Sequence, residues 1–397
     1  MTMSAAGGAF GGQQPLSGMR VVDLTRVLSG PFATMLLGDL GADIIKVEAK
    51  EGDTVRNQGA TRDGLSWYFA GFNRNKRSIV LDLKSDEGRE ALTQLIAGAD
   101  ALVENFRPGV LDRLGFSAVR LQEIRPGLVT CSVSGFGADG PYKTRPAFDF
   151  IAQAMSGFMS TNGRADDPPL RTGLPISDLV AGIYAALGVT AALMGRERFG
   201  RAEHVDISLT NSMISLLAYL ATDYFACGNV PVRTGNDHPI AAPYGLFKTM
   251  DDDIAVAPND DVFFGRLMDA LEMSEAKTDR AFASNALRVK SRARLNKMVQ
   301  DKLFEDTADN WIEKLNGAGI PCSRVNTVEG VFADPQVMSQ EMRISVPHPG
   351  HGDVEMLGFP IKFAEQPCVV RYPAPGLGEH TGEILAELRA ANSNRPD

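Results

Sequence analysis

The chain has 397 residues, 44% of them hydrophobic and 22% charged. That is enough apolar material for a large domain with a smaller companion, with no need of disulfides or metal. A net charge of −9 excludes a global basic field for nucleic acid, so an anionic small ligand must meet a local cluster of Arg, Lys and backbone N–H groups. Cys131, Cys227, Cys322 and Cys368 form no CxxC pair and read as reduced, mostly buried residues of a cytoplasmic protein. The five histidines show no HExxH spacing, so no metal site is expected.

Residues 1–14 lack the basic start and apolar core of a signal peptide and read as a flexible arm. Arg20–Leu24 has the apolar run of a buried strand. Ser29-Gly30-Pro31 turns the chain, and Pro31 suits the first turn of a helix over Phe32–Leu40. Asp43–Glu48 is the next strand, which completes a βαβ unit. Predicted strands at Ser78–Leu83, Ala101–Glu104 and Leu128–Val133 alternate with helices at Asp86–Ala97, Val110–Arg113 and Ala118–Ile124. The expected fold is therefore α/β with a doubly wound parallel sheet. Helical patterns follow at Ile151–Met159 and Leu179–Met194, then a short strand at His204–Ser208 and a helix over Ser212–Phe225. The uncharged run Leu179–Gly195 is shorter than a membrane span needs and reads as a buried helix. Gly228–Tyr244 is loop-like, Leu246–Ala257 holds strands about a turn, and charged helices run from Asp261 to Leu315. The expected division is a large domain over 15–227, a small α+β domain over 228–330, and a tail, 331–397, that returns to the large domain.

Gly135–Gly140 matches GxGxxG after a predicted strand, but Pro141 and Tyr142 follow and no long helix opens there, so it reads as a glycine-rich loop. Val27–Gly30 leads into a helix N-terminus, which favours an anion, and Glu48 falls where such folds hold a ribose hydroxyl. Ser29 as a plain helix cap and Glu48 as a solvated strand end are the alternatives. Arg74, Lys76, Arg77, Lys84, Arg107, Arg113, Lys143 and Arg145 lie beside strands and either converge on one sheet edge or are scattered solubilising charges. His348 and His351 read as surface loop. Asp178, in GLPISD, falls where an N-cap falls before a long apolar helix. The positive helix end favours its ionised form, and an ionised carboxylate can attack an activated acyl group.

Taken in order, the segments PLSGMRVVDLTRVLSGP, GADIIKVE, FNRNKRSIVLDLK, VENFRPGVLDRLGF, SGFGADGPYKTRPAFD, RTGLPISD, AAPYGLF, GIPCSRV and GLGEHT resemble the class III CoA-transferases, the family of formyl-CoA transferase and carnitine CoA-transferase. The likeness runs from Pro15 to Leu385. It implies an interlocked homodimer, acyl-CoA and a small carboxylic acid as substrates, no prosthetic group, no membrane and no nucleic acid. It implies Asp178 as the nucleophile that forms aspartyl anhydride and aspartyl-CoA intermediates. It puts coenzyme A at Val27, Leu28 and Ser29, at Leu81 and Lys84, at Asn105 and Phe106, and at Arg113. Some members carry Arg where this chain has Ala49, which leaves Lys50 as the adenine-side cation. Arg145 is a further expected contact, and Arg145 with Arg171 can pair with a second carboxylate, as in succinyl-CoA. The chain has no run of consecutive glycines like the one that shields the site in formyl-CoA transferase, so His238–Tyr244 is the expected shielding loop. The α-methylacyl-CoA racemases resemble the chain too, but Phe148 occupies the position of their proton-accepting histidine, and this favours transfer.

Overall fold

The structure is a computed structural model that describes residues 14–393; the expected arm lies outside it except for Gln14. Packing divides the chain into two compact units. The second takes Met159–Arg171 and Tyr219–Pro335, and the first takes the other described residues. The sequence-based borders stand at 227/228 and 330/331.

The first unit is built on six strands: β1 (Arg20–Asp23), β2 (Asp43–Glu48), β3 (Lys76–Val80), β4 (Ala101–Glu104), β5 (Val129–Ser134) and β6 (His204–Ser208). They pair in parallel in the order β3–β2–β1–β4–β5–β6. This is the doubly wound order, with its reversal between β1 and β4. Side chains alternate across the sheet. Val21 packs with Val103, Val129 and Cys131 on one face, and Val22 with Ile45 and Leu102 on the other. Helices α1 (Ser29–Asp39), α2 (Asp86–Ala97), α3 (Asp149–Met155), α4 (Ile176–Phe199) and α5 (Thr381–Ser393) cover both faces. Residues of α1, α3 and α4 join the first cluster, and those of α2 and α5 join the second.

The predicted strand Ser78–Leu83 is displaced to Lys76–Val80. Two charged residues can start it because each is matched: Lys76 donates to Asp23 and Arg77 to Asp43. Arg77 also reaches Glu383 and Glu387 of α5. The chain tail covers the open edge of β3: Asn75 N donates to Tyr372 O, His380 N to Ser78 O, and Val80 N to the Thr381 hydroxyl.

Helix α4 has 24 residues and is long and apolar enough to cross a membrane by length and composition. It extends beyond the uncharged run because Asp178 lies in its first turn and Arg196–Phe199 in its last, and Gly200 (φ +67°) ends it. Here one face of it is buried, Ala181, Gly182, Ala185, Ala186 and Ala192 among its residues, with Ala181, Ala185 and Val189 in the core. A Cβ at Gly182 would stand 2.8 Å from Ser29 O and 2.9 Å from the Phe32 ring. The two helices therefore touch through bare backbone.

Two further expectations are corrected. Only Cys131 is buried; Cys227 is exposed, Cys322 and Cys368 are half-buried, and all four are free. His348 is no surface-loop residue but lies buried in a hairpin of Arg343–His348 and Gly352–Leu357. Its Nδ1 donates to Val346 O and its Nε2 accepts from Ala374 N, so both ring nitrogens are satisfied in the neutral form.

The second unit is α+β. Its antiparallel strands Gly245–Lys248, Asp253–Val256 and Cys322–Arg324 carry the helices Asp261–Ala270, Arg292–Leu303 and Ala308–Gly317 over a core that includes Phe247, Ile254, Phe264 and Trp311. The predicted helix Ser212–Phe225 is split into Leu209–Ser215 and Ala218–Cys227, with Ala218 at φ +45°.

Gly182→Ala should destabilise the first unit by about 1–3 kcal/mol, as overpacking does. Gly195→Ala in the same helix meets open space and should be neutral or stabilising. Chemical denaturation of both variants checks the contrast, and equal midpoints would refute the tight α1–α4 crossing.

Candidate active site

Asp178 is the third residue of α4 and does not cap it; Pro175 holds the cap position without a side-chain hydrogen bond. The segment before it is braced from α3. Ser177 donates its N–H and its hydroxyl to Asp149 Oδ1, both at 2.9 Å. Gln153 donates to Asp149 Oδ2 at 2.8 Å and accepts from Thr172 N at 3.0 Å. Asp149, Gln153 and Ser177 are all buried. So held, the half-buried Asp178 takes a hydrogen bond from the Ser29 hydroxyl of α1. Burial pushes its carboxyl up to about 7, the charge of Asp149 adds to this, and Ser29 opposes both. The expectation that the helix end keeps it ionised is therefore corrected: burial and the charge of Asp149 outweigh the hydrogen bond from Ser29.

Sequence reading missed Tyr68. Burial first, then the charges of Asp178 and Asp53, raise the pKa of its phenol. Its ring meets Phe72 edge-on at 5.8 Å, and Phe72 meets Phe32 the same way. In the string WYFAGF it reads only as an apolar run, and no spacing links it to Asp178.

Val27, Leu28 and Ser29 form the turn between β1 and α1. Val27 has φ +70°, a left-handed backbone rare for a β-branched residue. Its N–H donates to both oxygens of Asp53, at 3.1 and 3.2 Å. Asn105 accepts from Arg26 N at 2.9 Å and donates to Arg26 O at 2.8 Å. The ends of β1 and β4 are thus tied at the reversal of the sheet, where open α/β sheets form their ligand crevice. The Arg26 guanidinium lies 5.7 Å from the Phe106 ring centre.

A cavity of about 580 Å³ opens there, beyond the carboxyl ends of β1, β2 and β3. Of the expected ligand residues, Lys50, Leu81, Lys84 and Phe106 line it, together with Thr25, Lys46 and Asp53. Val27, Leu28, Ser29, Asn105, Arg113 and Arg145 do not. Glu48 reaches the cavity but is neither solvated nor available to a ribose. It holds Arg56 at 2.8 and 2.6 Å, accepts from the Ser78 hydroxyl, and accepts from Asp53 N.

The basic residues do not converge as a set. Arg74 is buried on Asp39, and Lys76 and Arg77 are engaged as described. Lys50 and Lys84 are exposed at the cavity. Arg107 and Arg113 are exposed, and Arg145 is exposed with its guanidinium 3.6 Å over the Tyr142 ring. Lys143 lines a second cavity of about 730 Å³ that shares Phe106 and carries Glu104, Asp112, Cys131 and Asp206. Burial, then Glu104 and Asp206, push the Cys131 thiol up to about 12, so it is no nucleophile at neutral pH.

In the glycine-rich loop, Gly137 N donates to Ser134 and Ala138 N to Asp206, so these two amides are already engaged. The next helix begins only at Asp149. In the second unit the His238–Tyr244 loop is closed on itself: His238 N donates to Tyr244 O, and the His238 ring lies 4.7 Å from that of Tyr244 and 6.1 Å from that of Tyr219. Arg171 belongs to this unit and is exposed. Among the described residues, no group of three or more His, Cys, Asp or Glu side chains is placed to hold a metal ion.

Known proteins share this architecture. The chain is 35% identical to a succinate–glutarate CoA-transferase of Agrobacterium fabrum, over 94% of its own length and 96% of the relative's. It is 37% identical to an acetyl-CoA:oxalate CoA-transferase of Acetobacter aceti, over 95% and 96%. A crystal structure of a CAIB/BAIF family protein from Brucella suis superposes with a TM-score of 0.84 at 38% identity, covering 95% of this chain and all of that one. Residues 16–381 match the family described as CoA-transferase family III. With its switch-point cavity, its braced aspartate and this match across nearly its whole length, the chain belongs to CoA-transferase family III and is an enzyme that transfers coenzyme A.

Proposed function

We propose that Asp178 is the nucleophile of this CoA-transferase, and that the enzyme passes CoA from a dicarboxylyl-CoA such as succinyl-CoA to a free carboxylic acid. The observation that carries the reading is the setting of Asp178: a half-buried carboxylate held from behind through Ser177 and hydrogen-bonded in front by Ser29, three residues after Arg26 of the cavity wall. The similar Agrobacterium and Acetobacter enzymes are named for glutarate and oxalate, both dicarboxylic acids, which supports that substrate class.

In the proposed reaction, an Asp178 oxygen attacks the thioester carbonyl and the CoA thiolate leaves, giving an acyl–aspartyl anhydride. The thiolate attacks the aspartyl carbonyl and releases the donor acid, giving an aspartyl-CoA thioester. The acceptor carboxylate displaces the thiolate to form a second anhydride. The thiolate then takes the new acyl group and frees Asp178, which keeps one oxygen of the acceptor. Carboxylate and thiolate exchange roles, so no general base is required. CoA phosphates are met by Lys50, Lys84 and the exposed Arg113 and Arg145. Leu81 and Phe106 supply apolar contact, and Asn105 fixes the turn Val27–Ser29 along which the thioester arm runs.

A homodimer is part of this reading. Ile183, Leu187 and Met194 form an exposed apolar stripe on α4, and Phe148, Ile151 and Met155 are exposed around α3. Such an extended apolar surface fits burial by a second copy. Phe148 is 75% exposed and carries no proton-transfer group, so racemisation lacks its second acid–base residue.

Asp178→Asn should lower CoA transfer by on the order of 10⁴-fold. After turnover of the wild-type enzyme with an ¹⁸O-labelled acceptor acid, the label should appear on Asp178 in peptide mass spectra. Full activity in the variant, or loss of α-deuterium from substrate without CoA transfer, overturns the reading. A carboxyl titrating at about 7 is protonated and inert below that pH, so kcat/KM for the acyl-CoA should fall about tenfold per pH unit on the acid side. Asp149→Asn removes the repelling charge and should move this limb to lower pH; an unmoved limb contradicts the assignment. The same shift has a stability consequence. The ordinary value is 3.8 and the folded value about 7, so the folded state loses stability as pH rises through that window. The Tm advantage of Asp178→Asn over wild type should open between these values and be largest above 7, whereas a pH-independent gap would exclude the linkage.

A further inference from the structure

Lys46 and Asp53 have side chains with no solvent exposure and form an ion pair at 3.1 Å on the inner wall of the cavity. Neither is a residue that sequence reading attached to substrate. The pair does not stand alone. Lys46 Nζ also donates to Thr25 O at 2.8 Å, and Asp53 accepts from Val27 N with both oxygens. The ion pair therefore grips the β1–α1 turn at two points, the carbonyl that enters it and the amide at its most unusual residue. Val27 needs such a grip. A β-branched residue pays sterically for φ +70°, and the conformation persists only where the surroundings over-determine it. Two residues later the same turn presents the Ser29 hydroxyl to Asp178. Burial also gives the pair its reach, since charge-assisted hydrogen bonds inside the protein are stronger than exposed ones.

We infer that the Lys46–Asp53 pair is a positioning clamp for catalysis: it holds Val27 in the left-handed conformation and so aims Ser29 at Asp178. This rests on the reading of Asp178 as nucleophile. The clamp touches neither reacting atom, and its effect passes through the backbone of residues 25–29. A displacement of about 1 Å at that distance is enough to lower turnover substantially. The two carboxylate oxygens of Asp53 are shared among Val27 N, Val55 N and Lys46, so removing the carboxylate releases the turn and the start of the short helix Thr54–Asn57 together.

The test is a double-mutant cycle on the full-length enzyme with Asp53→Ala and Val27→Gly. It is measured as kcat with succinyl-CoA and the acid that wild type uses best, beside CoA binding by calorimetry and Tm for each variant. Glycine enters the left-handed region without strain and needs no clamp. Asp53→Ala should lower kcat about tenfold or more, and Val27→Gly should recover at least about threefold of kcat in that background while giving no gain in the wild type. A merely structural role for Asp53 predicts that the glycine adds to the damage. The inference is overturned when Asp53→Ala retains kcat within about twofold, or when Val27→Gly changes kcat by the same factor in both backgrounds. Where Asp53→Ala does not fold, Asp53→Asn takes its place in the cycle under the same criteria. An additive cycle beside an inactive Asp178→Asn sinks only the clamp; an active Asp178→Asn sinks the nucleophile.

Discussion

Asp23 lies wholly inside the first unit and is the junction on which its carboxyl-end architecture depends. It accepts from Thr25 at the end of β1, from Thr34 in α1 and from Lys76 at the start of β3. Burial works against its charge, yet the ammonium groups of Lys76 and Lys46 prevail and hold its carboxyl below the ordinary range. Burial pushes Lys76 in turn down to about 8, with Asp23 opposing. Charges buried this deeply stabilise a fold only when each lone pair and proton is matched. Lys76 meets Asp23, Pro31 O and Asn73, and Lys46 meets Thr25 O and Asp53. The network fixes where strand ends, turn and helix start stand relative to one another, and the cavity and Ser29 inherit their places from it.

The chemistry of Asp178 follows from a related balance. A carboxylate in open water is well solvated and a weak nucleophile. Asp178 has lost much of that water, receives a hydrogen bond from Ser29, and has a second carboxylate, Asp149, behind its own helix turn. It is consequently more basic, and more reactive once ionised, at the expense of holding a proton near neutrality. Asp149 is instead engaged by Ser177 and Gln153. Two aspartates thus differ in hydrogen bonding through their surroundings alone.

Much of this architecture is legible in the residue string, and the failures share one cause. The strands Asp43–Glu48 and Ala101–Glu104 and the helix Asp86–Ala97 stand where apolar pattern and capping place them, because their signals are local. The start of β3 was misplaced because Lys76 and Arg77 look like surface residues until Asp23 and Asp43, far back in the chain, are brought beside them. His348 reads as surface because its partner at Ala374 lies 26 residues further along the chain. Asp178 was located by motif, but its raised pKa depends on burial and on Asp149, which no linear pattern encodes. Lys50, Leu81, Lys84 and Phe106 meet at one cavity, while Arg113 and Arg145 are not among its lining residues. Which charges point inward is a tertiary fact.

The tail that covers β3 sets a condition on how the molecule is made. Ser78 waits for a partner 302 residues further along the chain, and Arg77 for partners more distant still. Synthesis runs from the N-terminus, so β1 to β4 leave the ribosome long before α5 exists. Through that interval β3 is an open strand edge whose arginine has Asp43 but not yet the two glutamates of α5, and an open edge invites wrong pairing. The sheet edge is sealed by chain that emerges 302 residues after it. A polypeptide stopped short of residue 372 lacks the cover of this edge, so β3 stays open until that later segment has been made.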